Sequence, residues 1–227
     1  MRTVLRLSDH PRAAEVARRI RPQLEQDLGH AGLRLGDPIF IRAFKEEKLV
    51  ELYVLNPTSG KYDLFRTYDV AGASGELGPK RAEGDRQVPE GFYHVPLGAM
   101  NPTSRHHLSF NIGYPNVYDR LHQRTGSLIM VHGSEVSLGC LAMTDPKIEE
   151  IYTMADAALR NSQEFFRVHL FPFRMTEVRM AQTMGSPHED FWNNLREGYE
   201  FFENSQVPPN VEVSGGRYTF EDEAPSR

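Results

Sequence analysis

The chain has 227 residues, 39% of them hydrophobic and 25% charged, with a formal net charge of −5. This suits one domain of ordinary size, or one with an appended helical piece, with enough apolar side chains for a real core. The acidic balance and the lack of a Lys/Arg-rich block exclude a nucleic-acid footprint, and no apolar run reaches the roughly 18 residues that would span a bilayer.

In chain order, Met1-Arg2-Thr3-Val4-Leu5-Arg6 lacks the apolar stretch of a signal peptide. Val16, Ile20, Leu24 and Leu28 recur every fourth position, so 11–31 reads as helix, with a kink or a second helix start at Pro22. Strands are expected at 38–44, 49–55 and 62–70, β-branched and aromatic, separated by turns such as Asn56-Pro57-Thr58-Ser59-Gly60. Residues 71–91 are rich in Gly, Pro and charge and read as loop, followed by a strand at 92–95. The stretch 98–126 is long, aromatic and irregular, the pattern of a lid or binding loop. Ser127 to Val131 is a short apolar strand that delivers His132 at its end. Asp145 reads as an N-cap, with Pro146 at the first helical position and Ile148, Ile151, Ala155 and Leu159 on the buried face. Phe166 to Phe171 is a strand. Phe191, Leu195, Tyr199 and Phe202 mark an amphipathic helix, and Val211 to Phe220 a hairpin around Gly215-Gly216. The fold class is mainly β with flanking helices (α+β). A helical segment at 1–34 leads into a catalytic body at 35–178, and a helix and hairpin at 179–227 pack on that body.

The sole cysteine closes the segment Val131-His132-Gly133-Ser134-Glu135-Val136-Ser137-Leu138-Gly139-Cys140. A thiol becomes a strong nucleophile when a base or local field produces thiolate, and imidazole is the usual base. The competing reading is a small buried hydrophobe beside a core histidine. Glycine next to each residue, plus Ser137, favours a nucleophile–base pair of Cys140 and His132. The main-chain amides of Gly139 and Cys140 are candidate oxyanion donors, and Ser137 could add a hydroxyl. No acidic residue stands out as the orienter of the imidazole. If His132 sets the thiolate fraction, Cys140 should titrate below the free-thiol value of about 8.5.

His106-His107, His132, His169 and Cys140 match no zinc spacing, so no metal and no cofactor is expected. Lys80 and Arg81, in a Gly/Pro loop, are candidates to meet substrate carboxylates. Arg105 and His107 on the long loop, and the Tyr114 hydroxyl, are further substrate-binding candidates. For each of these the alternative is a solvated or simply packed side chain. The stripe Phe191, Trp192, Tyr199, Phe201 and Phe202 reads as core.

His-Gly followed by Ser-x-Gly-Cys resembles the signature of the L,D-transpeptidase catalytic domain (YkuD-type) family. The stretch Asp85-Arg86-Gln87-Val88-Pro89-Glu90-Gly91-Phe92-Tyr93 is similar to that family's strand before the active site. Further likeness runs over roughly 35–220 and points to one subgroup. It includes Gly78-Pro79-Lys80-Arg81 through Glu83-Gly84-Asp85, Leu108 to Asn116, Cys140-x-Ala142-Met143-Thr144, Asp190-Phe191-Trp192, Gly198-Tyr199 and Pro208-Pro209. Members of that subgroup are amidases that release covalently attached outer-membrane lipoprotein from peptidoglycan.

The resemblance implies a β-sandwich or barrel-like catalytic domain, with Cys140 as nucleophile and His132 as base. It also implies that the Gly133 carbonyl orients the imidazole and that Gly139 and Cys140 form the oxyanion hole. The implied partners are peptidoglycan stem peptides and their attached lipoprotein, in the periplasm. Two positions depart from the wider family: Leu138 replaces a second histidine and Ala142 replaces an arginine. Both point toward hydrolysis at the diaminopimelate–lipoprotein amide. The alternatives are a transpeptidase that forms diaminopimelate cross-links or attaches lipoprotein, and a non-catalytic cell-wall binding module.

Overall fold

A computed structural model describes residues 5–222. Helix α1 (Pro11–His30) is continuous, with Ala13, Val16, Ala17, Leu24 and Leu28 on its buried face. Pro22 lies on the exposed side, where water reaches the carbonyl that lacks its helical N–H partner, so no second helix starts there. Strands β1 (Ile39–Phe44), β2 (Leu49–Asn56) and β3 (Lys61–Asp69) form an antiparallel meander. After an irregular segment comes β4 (Gly91–Pro96).

The expectation of a structureless 98–126 is corrected. A 3₁₀ turn at Leu97–Ala99 leads into β5 (Met100–Asn101), β6 (Ser109–Asn111) and α2 (Val117–Leu121). Asn116 and Asp119 cap α2 reciprocally, each side chain accepting from the other's main-chain N–H. The buried Asp119 carboxylate also accepts from the Tyr93 hydroxyl (3.0 Å) and Arg124 Nη1 (2.8 Å). Polar side chains here do what apolar periodicity does elsewhere, so hydrophobic patterning alone misses the order.

Strand β7 (Met130–His132) begins later than expected, because Leu128 adopts φ 54° and faces solvent. Strand β8 (Leu141–Ala142) precedes α3 (Asp145–Arg160). The N-cap of α3 is Thr144, not Asp145, and Asp145 is the first helical residue. The Asp145 carboxylate is drawn instead to the Ser134 main-chain N–H at 2.9 Å. Strand β9 (Phe165–Phe171), α4 (Glu177–Ala181), α5 (Glu189–Ser205), β10 (Asn210–Ser214) and β11 (Arg217–Glu221) complete the described residues. Gly215 and Gly216, at φ 58° and 76°, make the hairpin turn that a side chain would disfavour.

The strands form two mixed sheets of order β3-β2-β1-β9-β4 and β5-β6-β7-β8, plus the β10–β11 hairpin, in an α+β architecture. The main apolar cluster joins both sheets to α1 and α3, with Phe110 of β6 edge-on to Phe166 of β9 at 5.3 Å. A second cluster gathers α5 and the hairpin around Phe171, Trp192, Tyr199 and Tyr218. Buried Glu90 ties these parts to the segment before β4. It accepts from Trp192 Nε1 (2.8 Å), Lys45 Nζ (3.0 Å) and the Gly78 N–H (2.7 Å). Among the described residues no helix is long and apolar enough to cross a membrane.

Candidate active site

Strands β7 and β8 are adjacent and parallel, pairing Val131 with Leu141 and His132 with Ala142. Parallel neighbours ordinarily need a long crossover, but strands this short need only a brief return path. Residues 133–140 make that return. They leave His132 at the end of β7 and bring Cys140 back beside its beginning, where the Met130 N–H donates to Sγ at 3.3 Å. The Leu128 carbonyl lies 3.7 Å from Sγ. Gly133 is required by close packing: a Cβ there would lie 2.5 Å from Asp145 Oδ1 and 2.7 Å from the His106 carbonyl.

His132 Nδ1 donates to the Gly133 carbonyl at 2.5 Å, which fixes the tautomer and leaves Nε2 as acceptor. Nε2 faces Ser137 Oγ at 3.3 Å, and Ser137 Oγ accepts from the Cys140 main-chain N–H at 3.1 Å. No hydrogen bond joins imidazole and thiol directly among the described residues; Ser137 stands between them. The His106 ring lies 4.6 Å from that of His132.

The charge states run against the expectation of a resting thiolate. Burial pushes the Cys140 thiol above its ordinary value, opposed by the Met130 N–H, the Ser137 hydroxyl and the field of Lys80. Burial also lowers His132, with the Gly133 carbonyl acting the other way and His106 adding to the fall. Burial thus works against the charged form of both groups, thiolate and imidazolium. Desolvation outweighs the local donors, and no imidazolium is in contact with the sulfur.

Gly139 and Cys140, the expected oxyanion donors, both point at hydroxyls: Gly139 N–H at Ser74 Oγ (2.7 Å) and Cys140 N–H at Ser137 Oγ. Ser74 in turn donates to the Arg86 carbonyl at 2.7 Å. The Lys80 ammonium is buried and donates within its own loop, to Asp85 Oδ1 (2.6 Å) and the Ala82 carbonyl (2.9 Å). The buried Tyr114 hydroxyl donates toward the carbonyls of Lys80 (3.3 Å) and Thr125 (3.2 Å). His107 Nε2 meets Glu149 Oε1 at 2.9 Å, and its carbonyl accepts from Arg12 Nη1 at 2.6 Å. Arg81 and Arg105 are exposed. Cys140, His132, Gly133, Ser137 and Gly139 are thus brought together, and the other five form the surrounding loops. Sequence reading missed Ser74, Asp145 and the Met130 amide. Ser74 and Asp145 are polar residues in turn-rich segments, and nothing local announces a partner 65 positions away (Ser74–Gly139) or 11 positions away (Asp145–Ser134).

A family model for the L,D-transpeptidase catalytic domain (YkuD) matches residues 45–204. The chain belongs to this family. It is 43% identical over 184 residues to "Putative L,D-transpeptidase YafK" of Escherichia coli (strain K12), covering 81% of this chain and 74% of that protein. The same protein of Escherichia coli O157:H7 gives the same figures. Among solved structures, that of the helical cell shape determining protein Pgp2 from Campylobacter jejuni is similar at 17% identity and TM-score 0.47, over 83% of this chain and 79% of that one. Mycobacterium tuberculosis L,D-transpeptidase 1 is similar at 13% identity and TM-score 0.34, over 61% and 64%. Family membership makes the chain a peptidoglycan-related domain of L,D-transpeptidase type.

Proposed function

We propose that this chain is a cysteine-dependent peptidoglycan amidase of the periplasm. It cleaves the amide between a diaminopimelate residue of the stem peptide and covalently attached lipoprotein, through a thioester on Cys140. The observation that carries the reading is the make-up of the thiol's surroundings. A hydroxyl-linked imidazole lies on one side, and three side chains that the flanking segments turn to solvent, Leu128, Val136 and Leu138, are apolar and exposed by 68%, 75% and 68%.

On substrate approach the thiol proton passes by way of Ser137 to His132 Nε2. Sulfur bonds to the diaminopimelate carbonyl carbon, and the imidazolium, held through Nδ1 by the Gly133 carbonyl, protonates the departing amine as the C–N bond breaks. Water then attacks the thioester with His132 as base, which releases a carboxylate and restores the thiol. The Met130 N–H supports charge on sulfur, while the oxyanion takes over the Gly139 and Cys140 amides from the two serine hydroxyls. An amine acceptor has to arrive unprotonated and be held by polar groups, whereas water requires far less of a site. The apolar flanks favour water.

Incubation with peptidoglycan carrying bound lipoprotein, followed by mass spectrometry of the muropeptides, tests this. Stem peptides ending in a free diaminopimelate carboxylate are expected, with loss of the lipoprotein's C-terminal lysine from the digest. Accumulation of cross-linked stem-peptide dimers while lipoprotein stays attached overturns the assignment in favour of transpeptidation.

A further inference from the structure

A cleft of about 720 Å³ lies between the β4–β9 edge of the large sheet, the 113–117 loop and the C-terminal hairpin. Cys140, His132 and Ser137 do not line it. Its size falls in the range of small-molecule sites, about 300–1,000 Å³. His169, only 1% exposed, lies among its lining residues, and neither of its ring nitrogens has a hydrogen-bond partner. The ring stands edge-on to Phe40 and Phe92 at 4.6 and 4.7 Å. Burial, with Arg167 and Arg42 nearby, keeps it neutral. Its one N–H donor and one lone-pair acceptor, the complement of a hydroxyl group, are covered as well as unpartnered, so they lie just under the cleft wall and meet a ligand only when that cover is displaced.

From the hairpin, Asn210 and Glu212 reach the same cleft with side chains that have no hydrogen-bond partner among the described residues. Arg120 and Arg167 line it too, so the cleft holds both signs of charge. A carboxylate ligand would meet Glu212 and an ammonium ligand would meet the arginines. A neutral, hydroxyl-rich ligand suits both, because each hydroxyl donates as well as accepts. Phe92, Phe165, Val211 and Val213 supply the apolar wall that the C–H face of a sugar ring packs against.

We infer that this cleft binds a neutral N-acetylated pyranose segment of the peptidoglycan glycan strand, the polymer to which the stem peptide is attached. The inference rests on the peptidoglycan reading above and adds a second contact with the same polymer. The 113–117 loop walls the cleft through Gly113, Pro115, Asn116 and Val117. Its Tyr114 turns the other way, toward the Lys80 and Thr125 carbonyls on the side of the thiol.

The test titrates the full chain with neutral N-acetylglucosamine oligosaccharides as the glycan chains, and in parallel with cello-oligosaccharides of equal length. Calorimetry and the imidazole NMR signals of His169 provide the readouts. Saturable binding of the glycan chains is expected, with shifted His169 signals and about a tenfold or greater loss of affinity in His169→Phe and Asn210→Ala. Should His169→Phe fail to fold, Asn210→Ala and Glu212→Gln carry the test. Absence of glycan binding at millimolar concentration, equal affinity in all variants, or equal binding of cello-oligosaccharides overturns the assignment. Cleavage of a glycan-free stem-peptide substrate, measured on the same variants, should be unchanged. Loss of that cleavage in the wild-type chain, with glycan binding intact, counts against the amidase reading and not against this site.

Discussion

In the large sheet, β1, β2 and β9 are six, eight and seven residues long, and every residue of β1 is buried. In the small sheet no strand exceeds three residues, and its cohesion comes from a scatter of side-chain and loop bonds. Ser134 N–H is held by Asp145, Gly139 N–H by Ser74, Cys140 N–H by Ser137 and Gly133 N–H by the His106 carbonyl. A long regular ladder spreads its stability over many equivalent contacts. A short sheet assembled from individual hydrogen bonds concentrates its geometry in a few residues. Because β7 is only three residues long, His132 and Cys140 fall near its two ends within reach of a single serine hydroxyl. On the proposed function, the first sheet serves as scaffold and the second as the place where chemistry is arranged.

The sharpest way to break this contrast is at the small sheet's sulfur. Cys140→Ala should abolish turnover while leaving the melting temperature and circular dichroism essentially unchanged; a folded alanine variant that still turns over would refute the thioester route. Next, His132→Ala should lower kcat by about 10²–10⁴-fold, the usual worth of a positioned general base, again with little change in stability. Ser137→Ala should fall in the same direction by less. If the serine variant instead matches wild type across the pH–rate profile, the hydroxyl is no relay.

The large sheet should show the opposite pattern. Leu52→Ala, at a fully buried site on β2, should cost about 2–5 kcal/mol in urea unfolding and leave kcat of the folded fraction near normal. A stable variant with impaired kcat would mean the two sheets do not divide their roles.

A subtler effect concerns the thiol in the absence of substrate. Burial raises Cys140, so iodoacetamide alkylation should titrate above the free-thiol value of about 8.5. A midpoint well below it would show that a resting thiolate–imidazolium pair exists after all.

The smallest effect is expected at the Lys80 loop. Burial works to raise the Asp85 carboxyl, but the Ala82 N–H, the Lys80 ammonium and the Gln87 and Arg81 N–H groups hold it down at about 2. A carboxyl lowered on folding contributes stability above its unfolded value of about 3.9 and loses it as pH falls toward the folded value. Stability should therefore decline between about pH 4 and 2, and Asp85→Asn should flatten that decline in pH-dependent melting curves.

Much was legible where the governing interactions are local. The β1–β3 meander, the Gly215–Gly216 hairpin, α3 and α5, and the placing of His132 at a strand end follow from residue type and spacing within a few positions. The nucleophile and base candidates were equally plain, because one cysteine and a nearby His-Gly leave few other assignments. Pro22 and the 98–126 stretch were misread because exposure and side-chain capping overrode periodicity, and Asp145 was misread as an N-cap because its carboxylate meets the distant Ser134 N–H instead.

Sequence by itself determined which chemical groups the chain owns and which family it resembles. Only the tertiary structure decided their surroundings: that Ser137 stands between His132 and Cys140, that Ser74 occupies the Gly139 amide, and that burial pushes the thiol up and the imidazole down. The physical reason is one of range. Backbone preference and amphipathic pattern are set by neighbours a few residues away. Desolvation and hydrogen-bond partnership are sums over segments that meet only after β7, the 133–140 return and the 71–91 loop have packed together.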